Sequence, residues 1–263
     1  MPLLACGLLS ACSTNPMTGR AQILALPALQ SVHADVGFEL ADGVRRMAAA
    51  LPCEADCLRA ETRTELAGRV AAIGAELQAA ARQLSPELFT RIEGFRLELS
   101  ETLGAGSSSS ARGRIVIGAG LSGLEPTDVV IAFLIAREMA HVIARHDEEN
   151  SGASLLVSAL GYLVPGVGIL GRLLVTTLGA GALKHSWAAE QRIEADAIAV
   201  ELLEKTGTPV AVAAVELIDG INRSRLLGDD WGARYLESAQ RVAGIAAAAV
   251  RPDKAQLANR MPD

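Results

Sequence analysis

Pro126-Thr127-Asp128-Val129-Val130-Ile131-Ala132-Phe133-Leu134-Ile135-Ala136-Arg137-Glu138-Met139-Ala140-His141-Val142-Ile143-Ala144-Arg145-His146 is the stretch on which the fold turns. Pro126 suits the first turn of a helix and Asp128 suits its positive end, so a helix is expected from here to about His146. Val129 to Ala136 offers no polar face, which marks a helix driven through a core rather than lying on one. The charges that follow directly, at Arg137 and Glu138, are therefore expected to be buried.

The sequence around this helix fixes the class. Half of the 263 residues are hydrophobic but only 3% are aromatic, with much Ala, Leu and Gly, a composition that favours close-packed helices. Ala-rich periodicity predicts helices over 27–51 and 58–83, read as packing elements, and again over 187–205, 208–224 and 232–250. Phe95-Arg96-Leu97-Glu98-Leu99 alternates apolar and polar, and Arg114-Ile115-Val116-Ile117 does so more weakly, so both read as short strands. Gly104 to Ser110 between them reads by composition as a flexible loop. The expectation is a mainly α (α+β) fold, one domain over 27–250 with a small sheet edge of short strands. Residues 152–183 carry one charge, Arg172, and a Pro165-Gly166 break divides the uncharged part into pieces of about ten residues, as in a core or interfacial hairpin. Residues 251–263 form a polar tail. A net charge of −6 with no Lys/Arg-rich run argues against nucleic acid as a partner.

At the N-terminus, the short apolar run Leu3 to Ala11 ends in Leu9-Ser10-Ala11-Cys12. This resembles the lipobox of bacterial lipoproteins, which implies a signal over 1–12, lipid on Cys12 and a tether over 13–26. Ser13 after the cysteine fits onward transport to an outer membrane. The positive n-region of a secretory signal is missing from the sequence as it stands. Cys53 and Cys57 remain as an even pair: four apart on a helix their Cα atoms would lie about 6 Å apart, which allows a disulfide, and two free thiols fit equally well. A C-x3-C metal site has no second pair to complete it.

Positions 137 and 141 share a helix face. In an H-E-x-x-H helix that spacing sets two imidazoles on one zinc while the intervening glutamate activates the bound water. Here Arg137 stands in place of the first histidine, and Glu138 and His141 remain. R-E-x-x-H alone is a weak signal. Around it, however, Thr14-Asn15-Pro16-Met17-Thr18-Gly19-Arg20, Gly118-Ala119-Gly120-Leu121, Ala140-His141-Val142-Ile143-Ala144-Arg145-His146 and Glu190-Gln191-Arg192-Ile193-Glu194-Ala195-Asp196 follow in order. With them the chain resembles the HtpX-, BepA- and Oma-type membrane-associated metallopeptidases, a gluzincin family with a zincin fold.

That resemblance implies a third zinc ligand on a second helix, four residues before the Asp of the Ala-Asp pair, which here is Arg192. It also implies a substrate-binding edge strand, replaced here by the Gly/Ser sequence at 104–110 so that substrate strands would lose a partner, and a late His-Pro before a site arginine, matched to Tyr235-Leu236 ahead of Arg241. One vestigial ligand, His141, and one vestigial general base, Glu138, are left. Zinc needs three protein ligands in such a site, and an arginine repels it: at 4 Å and an effective dielectric of 20, two unit charges interact by about 4 kcal/mol. The expected replacement is a salt-bridge cluster of Arg137, Arg192, Glu138 and Asp196, with His141 hydrogen-bonded alongside. A shifted ligand set would draw on carboxylates such as Glu190 or Glu194. His33, His146 and His185 read as isolated surface or capping residues, and Ser107 to Ser110 have no partner for nucleophilic chemistry.

The leading expectation is a non-catalytic pseudopeptidase without a cofactor. It would be a periplasm-facing lipoprotein at the outer membrane of a Gram-negative bacterium, binding a protein partner or unfolded envelope polypeptide in protein quality control. The alternatives are an active zinc metalloendopeptidase with shifted ligands and a membrane-inserting hairpin protein built on 152–183.

Overall fold

The computed structural model describes residues 12–15, 17–24, 27–49, 60–152, 169–224 and 230–250. Outside it lie most of the signal segment, Cys53 and Cys57, residues 153–168 of the 152–183 hairpin and the 251–263 tail.

The chain is mainly helical with a small sheet of short strands, as its composition predicts. Strands β1 (Cys12–Thr14) and β2 (Ala21–Ile23) pair antiparallel. Helices α1 (Pro27–Ala49) and α2 (Ala60–Leu84) follow. Strands β3 (Arg96–Ser100), β4 (Ser107–Ser109) and β5 (Arg114–Gly118) form a three-stranded sheet in the order β3-β5-β4. β3 runs parallel to β5, with Arg96 opposite Arg114, and β4 runs antiparallel to it, with Ser108 opposite Val116. The helices α3 (Asp128–Ile143), α4 (Ile169–Thr206), α5 (Val210–Arg223) and α6 (Asp230–Val250) complete the order.

α3 is the axis of the core. Thirteen of its sixteen residues are buried, so no side of it is left for water. It packs on α2, α4, α5 and β4, and α6 closes over α4 and α5. Ile131, Phe133, Leu134, Ile135 and Met139 meet Leu77 and Ala81 of α2, Ile198 and Leu202 of α4 and Leu217 of α5 in one apolar cluster. Each such side chain fully removed from water contributes about 1.5–3 kcal/mol.

Four expectations need correction. The Gly104–Ser110 stretch is a close-packed turn and strand. A Cβ at Gly118 would sit 2.1 Å from the carbonyl oxygen of Gly104, and one at Gly106 would sit 2.3 Å from the Trp231 ring, so glycine serves close approach here. The central helix does not run to His146. It stops at Ile143, Arg145 takes a left-handed conformation at φ +61, and helix resumes over 146–152.

Residues 13–26 are not a free tether either, since Asn15 and Gln22 are buried and the Gln22 amide donates to the carbonyl of Ala144. Finally, α1 does not pack by its apolar face. Asp42, Asp35 and Ser31 tie its polar side to Arg114, Arg112 and Glu148, and its large hydrophobic side chains face outward.

Candidate functional site

α3 and α4 lie side by side, and this brings Arg137 to Asp196. The guanidinium Nε lies 3.0 Å from Asp196 Oδ1, with side-chain exposures of 7% and 0%. The other oxygen of Asp196 takes Arg241 Nε at 2.8 Å, and the Ser238 hydroxyl donates to Oδ1. Helices α3, α4 and α6 thus converge on one fully buried carboxylate. A charge in that position persists only when paired and hydrogen-bonded.

Glu138, one residue on, points another way. The hydroxyls of Ser107 and Ser109 donate to its Oε1 and Oε2 at 2.7 and 2.9 Å. Because successive strand residues alternate faces, those two serines turn toward α3 together while Ser108 turns away. Tyr235 closes this end: its hydroxyl donates to the carbonyl of Ala105 at 3.0 Å and lies 3.2 Å from Ser107 Oγ. Burial pushes the Tyr235 phenol well above its ordinary range.

The four-membered cluster expected from the sequence therefore forms only in part. Arg137 and Asp196 meet. Arg192 does not join them, its closest acid being Glu237 on α6 at 3.8 Å, and it remains partly exposed. Arg241 takes the second place on Asp196. Two serines, read from composition as a flexible loop, satisfy Glu138 instead of an arginine.

His141 is also held, through a residue that sequence reasoning set aside. His141 Nδ1 and His146 Nδ1 are 2.8 Å apart, and His146 Nε2 lies 2.9 Å from Glu194 Oε2. On an unbroken helix a spacing of five would put the two histidines about 140° apart. The left-handed Arg145 turns His146 back onto His141. With Glu194 ionised, His146 donates from Nε2, accepts at Nδ1 from His141 and so fixes both tautomers. Burial lowers the pKa of His141 well below its ordinary value, helped by the charges of Arg137 and Arg192. Burial also lowers His146, against the opposing pull of Glu194.

Glu194 anchors a second centre. Besides His146 it accepts from Asn15 Nδ2 at 2.6 Å, from Arg20 Nε at 2.6 Å and from the Thr18 hydroxyl. Burial alone would raise its pKa, but the hydrogen bonds from His146, Thr18 and Arg20 hold it down at about 2. Arg20 reaches on to Glu149 at 2.6 and 3.0 Å, and Gln191 donates to the same carboxylate at 2.9 Å. Asn15, Thr18 and Arg20 belong to the Thr14–Arg20 string that carried part of the resemblance, which was the available signal for this role.

A zinc ion does not fit these residues. His141 has one nitrogen left, the residue one turn before it is a guanidinium, and the same two arginines that discourage a proton on His141 discourage a metal cation. Glu190 is exposed and Glu194 is already saturated, so neither offers a shifted ligand. Among the described residues no three His, Cys, Asp or Glu side chains converge as a metal would require, and none of the helices is long and apolar enough to cross a membrane.

A cleft of about 340 Å³ lies between α1 and the edge strand β4, lined by His33, Phe38, Arg45, Ser108, Asn150 and Ser151 among others. Compared with known proteins, the chain matches no family model, no curated protein and no solved structure.

Proposed function

We propose that this chain is a non-catalytic relative of the HtpX-, BepA- and Oma-type metallopeptidases, a lipoprotein anchored through Cys12 that binds or regulates another protein of the cell envelope. The observation that carries the reading is the buried ion pair of Arg137 with Asp196 at 3.0 Å. A guanidinium occupies the position of the first metal-binding imidazole and is fastened there by its own acid. The acid that would activate water, Glu138, is held by two serine hydroxyls, and His141 by a second histidine. Arg137, Glu138, His141 and Asp196 each have a hydrogen-bond partner from the protein, which favours a structural core over a reactive one. The cleft along β4 supports binding, since an edge strand beside an open cleft can accept an extended peptide.

The test is metal content and its recovery. Purified full-length protein is expected to carry far less than one zinc per chain, and stoichiometric zinc with protease activity would refute the reading. The double change Arg137→His with Arg192→Glu is expected to introduce measurable zinc binding if these two positions descend from ligands. A folded, metal-free double variant would refute the assignment of 192.

A further inference from the structure

Helix α1 is inside out for a surface helix. A helix on a globular body ordinarily turns its apolar stripe inward and its charges to water. In α1, Asp42 is held by Arg114 at 3.1 Å and Arg46 at 2.6 Å, Asp35 by Arg112 at 2.7 Å, and Gln30 is buried. The outward face carries Leu29, Val32, Val36, Leu40, Val44 and Met47, each between 46% and 70% exposed. None of the described residues covers them.

The spacing of these six fits a second copy of the chain. Successive steps are 3, 4, 4, 4 and 3 residues, and Leu29 to Leu40 and Val36 to Met47 each span an eleven-residue period, so the stripe runs almost straight along the helix. The same spacing reads identically from either end. About residue 38, Leu29 mirrors Met47, Val32 mirrors Val44, and Val36 mirrors Leu40. A two-fold axis across an antiparallel helix pair demands this palindrome, because residue i of one copy must meet residue j of the other and j must meet i. A lipid surface or an unrelated protein would demand no such symmetry. Interfacial membrane helices also set Lys and Arg on their polar face, whereas the polar face of α1 is spent on the protein body.

The dimensions agree. The nineteen residues from Leu29 to Met47 cover about 27 Å, and the exposed part of the six residues amounts to roughly 600 Å², at the upper limit of patches that monomers leave bare. Two such faces together bury roughly 1,200 Å², the lower end of a standard interface. The flanking charges Glu39 and Arg46 are already drawn to Arg114 and Asp42.

We infer that α1 is a homodimerisation element: a second copy of this chain lays its own α1 antiparallel across the stripe, with Val36 of each copy against Leu40 of the other. The inference does not depend on the functional reading above.

Sedimentation equilibrium of the full chain at tens of micromolar is expected to show a dimer. Val36→Glu with Leu40→Glu should weaken it ~100-fold or more, as for loss of two central contacts, with an unchanged circular dichroism spectrum. Register is tested by disulfide formation between differently tagged copies: Val36→Cys with Leu40→Cys should cross-link far more than Val36→Cys with Leu29→Cys, the native cysteines being common to both mixtures. A monomeric wild type, a dimer indifferent to the glutamates, or equal cross-linking of the two mixtures would each overturn the inference. So would a monomer that binds neutral lipid vesicles through this face.

Discussion

Replacing Arg137 by methionine removes one of three donors from a carboxylate that water cannot reach. Stripping a buried acid of its partner altogether costs about 3–5 kcal/mol. Here Arg241 Nε stays 2.8 Å from Oδ2 and Ser238 keeps its hydrogen bond, so part of the solvation of Asp196 survives. A lost hydrogen bond to a charged group is worth about 1.5–3 kcal/mol, and the long apolar stem of methionine keeps most of the packing. The expected loss is therefore about 2–3 kcal/mol, or roughly 5–10 °C in melting temperature for a chain of this size. Asp196→Leu should cost more, about 3–5 kcal/mol, because it leaves Arg137 charged and buried without its acid.

The double variant Arg137→Met/Asp196→Leu should recover most of that, since both charges go and Arg241, itself one-quarter exposed, falls back on Glu237 at 3.1 Å. A coupling free energy of about 2 kcal/mol or more between the sites is the quantity at stake, read from urea melts of the four proteins. An Arg137→Met protein within ~0.5 kcal/mol of wild type, or a double variant whose loss equals the sum of the single losses, would refute the account of this core.

Two further outcomes follow from the same geometry. Ser109→Ala should cost about 1–3 kcal/mol by leaving one oxygen of buried Glu138 unsatisfied, and Ser108→Ala, on the opposite face of β4, should stay within ~0.5 kcal/mol; equal effects in thermal melts would mean that β4 does not present alternate serines to α3. His141 and His146 both have lowered pKa values in the folded chain, so they stay neutral while the unfolded chain takes up protons near pH 6.5. Stability is then full above about 6.5 and falls as pH drops below it, by up to about 1.4 kcal/mol per pH unit for each histidine. Urea midpoints that stay flat between neutral and mildly acid pH would contradict the buried pair.

Much of the helical framework was legible because it follows from periodicity alone. The apolar-all-round run Val129–Ala136 gave away a helix through the core, and the burial of Arg137 and Glu138 came with it. The pairing of Arg137 with Asp196 was legible too, through the resemblance, which sets the helix of Arg137 beside the helix of Asp196. Which second arginine reaches Asp196 was signalled only by the resemblance, which matched Arg241 to a late site arginine, while the expected cluster held Arg192. Arg192 shares that face one turn away, but Arg241 arrives from α6, and the choice depends on where a third helix packs. His146 was missed because its role depends on one left-handed residue, Arg145, that no local propensity requires. The orientation of α1 was missed for a different reason: periodicity shows that a helix has an apolar face without showing which face the body takes.

The β1–β2 hairpin has a mechanical consequence. Cys12 pairs with Ile23 in the backbone ladder, and Arg20, between the strands, grips Glu194 and Glu149 from within the fold. Any load applied at residue 12 is therefore not absorbed by slack chain. It runs through Arg20 into α4 and the short helix at 146–152, and so into the His146–His141 pair. An attachment at this point holds the body like a bracket rather than a leash, setting its angle as well as its distance, and tension on the attachment is felt first at the His146–His141 pair.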